Sequence, residues 1–233
     1  MKKRKSFDII IPLILGLILA TILLIPQFQI KTGVNLSDTP FHFNRFFDIA
    51  EQFRNHNFSY FQMNYGFGQT GRVVNALYGP FFSYMLGFLL FITGSWFKFQ
   101  ILTTYIVFLV GSYGMYQLNL KLKTSRVTAV IITLLFLTTG YVSSWTSSNS
   151  FSTWGGILIP FVLIEAIDLV NNDEGKFNWI GLGTIVAVVA QVHLLTTVLC
   201  VLTLIPFFVY GLYQSNYKKM LWLTLLKAIA LFM

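Results

Sequence analysis

The sequence predicts an all-α, polytopic membrane protein, and three observations carry that expectation. Hydrophobic residues make up 55% of the 233 residues and the mean hydropathy is +0.69. Only 10% of residues are charged, whereas a soluble domain carries about 25% because its surface faces water. The apolar residues also gather in long runs separated by short polar or basic connections. A soluble or disordered chain is therefore excluded. At ~20 apolar residues per spanning helix the length holds at most about seven spans.

The net charge of +8 arises from 16 Lys and Arg against 8 Asp and Glu. In a membrane chain that excess reports on topology and on contact with anionic lipid. No basic run with interleaved aromatics lies on a soluble segment, so nucleic acid is not expected as a partner. Cys200 stands alone in an apolar run and reads as a small packed hydrophobe.

Taken in order, a basic start (Lys2-Lys3-Arg4-Lys5) precedes the apolar run 9–25, and residues 26–30 offer no small-x-small cleavage site. The run reads as an uncleaved signal anchor, with 1–8 a cytoplasmic tail and 9–25 the first span. Residues 27–75 form an extracytoplasmic loop. Within it Phe41, Phe43, Phe46, Phe47, Ala50 and Phe53 share one helical stripe, and His42, Arg45, Asp48, Gln52 and Arg54 lie mostly opposite. Residues 40–57 are thus expected to form a helix in the membrane interface, its charged face to water. Thr39 should cap it, with Pro40 in the first turn. The Gly-rich stretch 65–71 follows no strand, which argues against a phosphate-binding loop.

The single membrane domain continues through 76–233, with apolar runs at 76–92, 99–120, 127–141, 154–170, 179–192, 194–212 and 221–233. If every run crossed, Lys121, Lys123 and Arg126 would face outside, against the positive-inside tendency. A non-crossing 76–92, interrupted by Gly79-Pro80 and Gly87, places that loop, 171–176, Lys218 and Lys219 inside, with the Ser-rich 143–153 and His193 outside. The expected architecture is about six spans, an interfacial helix and a re-entrant or juxtamembrane helix. A break near Gln191-Val192-His193 divides 179–212. The last run is incomplete, as expected of the N-terminal region of a longer protein.

Asp38 is the candidate catalytic residue, placed at the outer membrane surface. Sugar transfer from a lipid phosphate needs one base for the acceptor hydroxyl, and cations or a metal for the phosphate leaving group. Asp38 with Arg45, Arg54 or Arg72 meets that demand. A glycosidase would need two opposed carboxyl groups, and Asp38 has no clear second partner. Alternatively, Asp38 only flanks or caps a helix N-terminus, and His42 and Arg45 only share a solvated face. His193 lies in an apolar run, where an ionisable group is either functional or bonded to a backbone carbonyl. Glu165 and Asp168 are expected to snorkel to the interface.

The run Asp38-Thr39-Pro40-Phe41-His42-Phe43-Asn44-Arg45, following one span, resembles the first outer loop of GT-C type membrane glycosyltransferases. The subgroup it looks most like is the YfhO-type and 6-pyruvoyl-tetrahydropterin synthase-related bacterial membrane proteins. Tyr78-Gly79-Pro80-Phe81-Phe82-Ser83-Tyr84 is similar to their Tyr-Pro-Pro-Leu-x-x-Tyr stretch, with Gly79 in place of the first proline. Gln191-Val192-His193-Leu194-Leu195-Thr196 is similar to a Ser/Thr-His-Leu-x-Thr stretch. The resemblance implies a GT-C-like fold and a bacterial transferase taking polyprenyl-phosphate sugars to an envelope polymer or lipid acceptor outside the cytoplasmic membrane. It implies Asp38 as catalytic residue or ligand of a divalent metal; beside it, Arg45 and Arg72 are expected as phosphate partners and His42 or His193 as a substrate contact. The 3 histidines are scattered and do not make the zinc cluster of a soluble pterin enzyme. A lipid or lipid-linked-sugar transporter, marked by paired broken helices, and a non-catalytic assembly subunit are the alternatives.

Overall fold

The computed structural model describes residues 2–36, 38–171, 178–214 and 216–232, with residues 2–5 and 232 described by backbone only. The predicted 171–176 connection beyond Asn171, and Ser215, lie outside the described residues. The chain is nearly all helical: α1 (Lys2–Ile30), α2 (Thr39–Asn55), α3 (Pro80–Thr93), α4 (Trp96–Lys121), α5 (Arg126–Thr138), the short α6 (Gly140–Ser143), α7 (Trp145–Ser148) and α8 (Ser152–Gly156), then α9 (Ile159–Val170), α10 (Trp179–Val192), α11 (Leu194–Gln214) and α12 (Lys218–Phe232). A two-residue antiparallel ribbon, β1 (Gln62–Met63) with β2 (Arg72–Val73), closes the Gly-rich stretch.

By length and composition four helices can cross a membrane: Ser6–Ile30, Trp96–Lys121, Ser152–Val170 and Leu194–Gln214. A fifth arises if Arg126–Thr138 and Gly140–Ser148, bent by 53° at their break, count as one span. Helices α3 and α10 are shorter, at 14 residues each, and reach only ~21 Å at 1.5 Å per residue.

α1 and α4 run antiparallel along their whole length, and their side chains show why. Pro12 has no N–H to offer the carbonyl of Asp8; Nε2 of Gln117 donates to that oxygen instead, at 2.8 Å. Ser112 Oγ donates to the Pro12 carbonyl at 2.6 Å. Gly16 lies so close that an added Cβ would stand 2.8 Å from the Phe108 carbonyl oxygen. At the far end Gln100 grips Val34 twice, accepting from its N–H at 2.8 Å and donating to its C=O at 2.6 Å. α1 continues past the predicted end of the span at residue 25, through Pro26, to Ile30.

One end of the bundle gathers Asp8, the Lys121–Arg126 turn and the end of α9. Arg126 clasps Asp8 with Nε and Nη2, at 2.7 and 2.9 Å, and Lys121 pairs with Asp168. The Lys121–Arg126 connection thus shares an end with residue 8, as parity of the basic loops requires. The opposite end holds the strap before α2, α2 itself, the ribbon, α6 to α8 and the α10–α11 joint.

α3 starts where Gly79-Pro80 places it and lies on α2, because Gly87 leaves no Cβ to strike Ile49, which an added one would meet at 2.4 Å. The main core joins Phe46, Phe82, Leu86, Phe99, Phe108, Trp145, Phe151 and Trp154 across α2, α3, α4 and the Ser-rich region. Cys200 is buried beside Val162 and Val189, a packed hydrophobe. The Ser-rich 143–153 is folded into short helices that bring Trp145 and Phe151 into this core.

The expected orientation of α2 is corrected. His42, Arg45, Asp48 and Gln52 are buried at 3, 1, 0 and 0% exposure, while Phe47 is 37% exposed. The polar face is inside because later segments supply its partners. Asp48 accepts from the N–H groups of Tyr65 and Gly66 at 2.6 and 2.9 Å and from Gln52 at 2.6 Å. Gln52 also accepts from the Ser59 N–H, at 3.1 Å. Asn44 accepts from the Phe67 N–H at 3.0 Å. The Gly-rich stretch is therefore pinned to α2 through the same amides a phosphate would need.

Candidate functional site

Asp38 sits on the turn that leads into α2. It makes no side-chain capping bond; the helix start is held by Thr39, whose hydroxyl donates to the carbonyl of Ser148 at 2.7 Å and ties α2 to α7. Asp38 is left to face the next turn. Its Oδ2 lies 3.6 Å from Nε2 of His42; its Oδ1 is buried and takes no side-chain hydrogen bond among the described residues, while the backbone N–H groups of Asp38 and Phe151 also favour the carboxylate.

The proton on His42 is placed by its neighbour. Arg45 Nη1 lies 3.2 Å from His42 Nδ1. Guanidinium only donates, so Nδ1 accepts and the proton of a neutral imidazole is on Nε2, toward Asp38. Burial pushes the His42 pKa below its ordinary value, outweighing the Asp38 carboxylate that favours the charged form. The His42 ring in turn holds the Asp38 carboxyl below the usual range. The pair is thus a carboxylate steadied by a neutral imidazole and by nearby backbone N–H groups.

Arg45 is sealed behind them. It donates through Nη2 to the Gly79 carbonyl at 3.3 Å, lies 5.0 Å from the centroid of the Tyr78 ring, and leaves Nε buried without a partner. It makes no ion pair among the described residues. Burial pushes its pKa down to about 10, so it remains cationic at neutral pH. A buried, unpaired guanidinium is costly and gives the site a positive wall.

The α10–α11 joint completes the cluster. The helix breaks at His193, which is extended (φ −155°, ψ 116°), where the sequence placed it. His193 Nδ1 lies 2.9 Å from Thr196 Oγ1 and 3.3 Å from the Thr196 N; as an acceptor from the backbone N–H, Nδ1 leaves the ring proton on Nε2. The joint reaches the cluster through Gly79, whose carbonyl accepts from Arg45 and whose Cα abuts Gln191, two residues before His193. The joint is fixed by two glycine contacts. An added Cβ at Gly79 would stand 2.4 Å from Gln191 Cα, and one at Gly155 would stand 2.2 Å from Thr196 Oγ1.

Of the predicted site residues, the structure brings Asp38, His42, Arg45 and His193 together and leaves Arg72 at the rim. Arg72 is exposed, 5.7 Å from the centroid of Phe41 and 5.2 Å from that of Phe67. Phe41 separates it from His42, ring to ring at 5.2 Å. Arg54, also considered as a phosphate partner, pairs with Glu51 instead. Phe151 is the site residue with no signal in the sequence. Its ring centroid is 4.4 Å from that of His42, yet it lies in a polar, Ser-rich stretch.

The donor set does not fit a divalent metal. Asp38, His42 and His193 stand beside a cationic Arg45, and no group of three His, Cys, Asp or Glu arranged to hold a metal occurs among the described residues. Comparison with protein-family models, with curated proteins and with solved structures finds no match. The chemistry is therefore argued from the cluster itself.

Proposed function

We propose that this chain acts as a GT-C-like membrane glycosyltransferase, moving a sugar from a polyprenyl-phosphate donor to an envelope polymer or lipid on the outer face of the cytoplasmic membrane. The observation that carries the reading is the Asp38 carboxylate, kept ionised beside neutral His42, whose Oδ1 takes no side-chain hydrogen bond among the described residues. Asp38 takes the acceptor hydroxyl proton; the oxygen so freed bonds to the sugar carbon as the bond to the donor phosphate breaks. The phosphate leaves as an anion and needs positive field rather than an acid. Arg45 supplies that field through the wall of the site, the Nε2–H of His193 donates toward the donor, and Arg72 at the rim draws the anionic head in.

A second feature supports a lipid-borne donor. An apolar cavity of 480 Å³, lined by Phe82, Trp154, Val188 and Val192 among others, has Gln191 on its wall. Gln191 also accepts from the Phe81 N–H at 3.2 Å and abuts Gly79, so the cavity leads to the cluster and suits a hydrocarbon tail. The topology of the proposal is six crossings with α3 not crossing and the N-terminus cytoplasmic; clustering of Lys121, Lys123 and Arg126 with the basic N-terminal end favours it.

The broken helices α5–α6 and α10–α11 favour one other reading, a lipid-linked-sugar transporter. One experiment separates the two: transfer of labelled sugar from a polyprenyl-phosphate donor by membranes carrying wild type or Asp38→Asn. The transferase reading expects a loss on the order of a hundredfold or more at unchanged protein level. Full transfer by Asp38→Asn overturns it.

A further inference from the structure

On the other face of α2 lies an open cleft of 410 Å³ that the transfer chemistry does not use. Its size falls within the ~300–1,000 Å³ of small-molecule sites. One wall is aromatic: Phe43 and Trp96 stack at 4.4 Å with 16° between their planes, and Phe47 stands beside them, 37% exposed. The other wall is the strap at Gly33 to Asn35, held flat on α4 by the paired bonds between Gln100 and Val34. Gly33 permits this, since an added Cβ would stand 2.8 Å from Gln100 Oε1. Asn35 is exposed and makes no side-chain hydrogen bond among the described residues; Asn44 donates to the Pro40 carbonyl through one of its two amide hydrogens. In a chain of net charge +8, no charged side chain among the described residues lines this cleft.

Rings, amides and the absence of charge define a ligand class. Aromatic faces take apolar surface, amides donate and accept equally, and a phosphate or carboxylate would call for a cation. A pyranose offers an apolar C–H face and a rim of neutral hydroxyls. We propose that the cleft between the strap and α2 binds a neutral, hydroxyl-rich glycan segment. It adjoins the chemistry through the chain itself: Asn35 and Pro40 in the cleft flank Asp38 on either side. A glycan held there stays beside Asp38 while its end is presented. Binding needs no reaction at Asp38, so the proposal stands or falls apart from the transfer reading.

The test uses the full chain in lipid nanodiscs, free of glycosidic detergent, titrated with cellotriose, maltotriose and chitotriose and followed by saturation-transfer NMR. At least one neutral trisaccharide is expected to bind, with affinity reduced about tenfold in Trp96→Ala and in Phe47→Ser and unchanged in Asp38→Asn. Phe47 is partly exposed, so its replacement keeps the test valid if Trp96→Ala fails to fold. Three results each overturn the proposal: no neutral trisaccharide binds wild type, as expected if the rings only meet lipid headgroups; binding survives Phe47→Ser unchanged; or Asp38→Asn abolishes it, which moves the ligand to the other face of α2.

Discussion

Asp38 and His42 stand one helical turn apart, Oδ2 to Nε2 at 3.6 Å, in an arrangement where the imidazole serves the carboxylate. Arg45 at Nδ1 leaves the His42 proton on the side facing Asp38, so the ring stabilises a charged acid rather than titrating in its place. Substituting His42→Gln removes that support and raises the Asp38 pKa. The acidic limb of the transfer rate against pH should then move upward; an unmoved limb would show that His42 does not act through Asp38.

The same pair makes stability depend on pH with a fixed sign. His42 has a folded pKa below its ordinary 6.5, so below that pH the unfolded chain gains a proton first and stability is lost as the pH falls through the folded value. Asp38, lowered from 3.8, adds a loss of the same sign further into acid. Thermal melting in nanodiscs should decline as the pH falls below about 6.5, and less steeply in His42→Gln. Equal slopes in the two proteins would exclude His42 as the source.

Gly79 is expected to tolerate no side chain. The Cβ of Gly79→Ala would meet backbone atoms of Gln191, the Cα and the carbonyl oxygen, both at 2.4 Å. A flexible side chain could move aside, but backbone cannot, and overpacking costs about 1–3 kcal/mol. Melting measurements should show that loss and at most partial rescue by Gln191→Ala, because removing the side-chain Oε1, at 2.5 Å, leaves both backbone clashes in place.

Gln117 and Pro12 form a pair open to a double-mutant cycle. Gln117→Leu leaves the Asp8 carbonyl, which Pro12 deprives of its helical partner, without its bond, at a cost of about 1–3 kcal/mol. In a Pro12→Ala background the backbone N–H of residue 12 can satisfy that carbonyl, so the same substitution should cost much less. Additive losses would disprove the relationship.

Asp48 should prove structural. Asp48→Ala removes the acceptor for the Tyr65 and Gly66 amides and should free residues 58–73 to proteolysis. A resistant variant would show that the ribbon is held by its aromatic contacts alone.

Much of the architecture was legible in composition and punctuation. Long apolar runs located the helices, Gly79-Pro80 marked the start of α3, His193 marked the break between α10 and α11, and basic-loop parity grouped Lys121–Arg126 with the N-terminal end. The face of α2 was not legible. A 3.6-residue period separates Phe from charged positions, but which set is buried depends on what packs against the helix, and Tyr65, Gly66 and Ser59 are supplied by the returning chain.

The sequence by itself determined an all-helical, membrane-type chain and singled out Asp38, His42, Arg45 and His193, because hydropathy and charge are local properties. Only the tertiary structure decided that these four residues share one cluster, that Arg72 stays at its rim, and that Phe151 stacks on His42. The Phe151–His42 contact and the approach of the His193 joint to α2 join residues more than a hundred positions apart. The joint rests on close approaches at Gly79 and Gly155, and no local pattern encodes which segment will fill the space a missing side chain leaves.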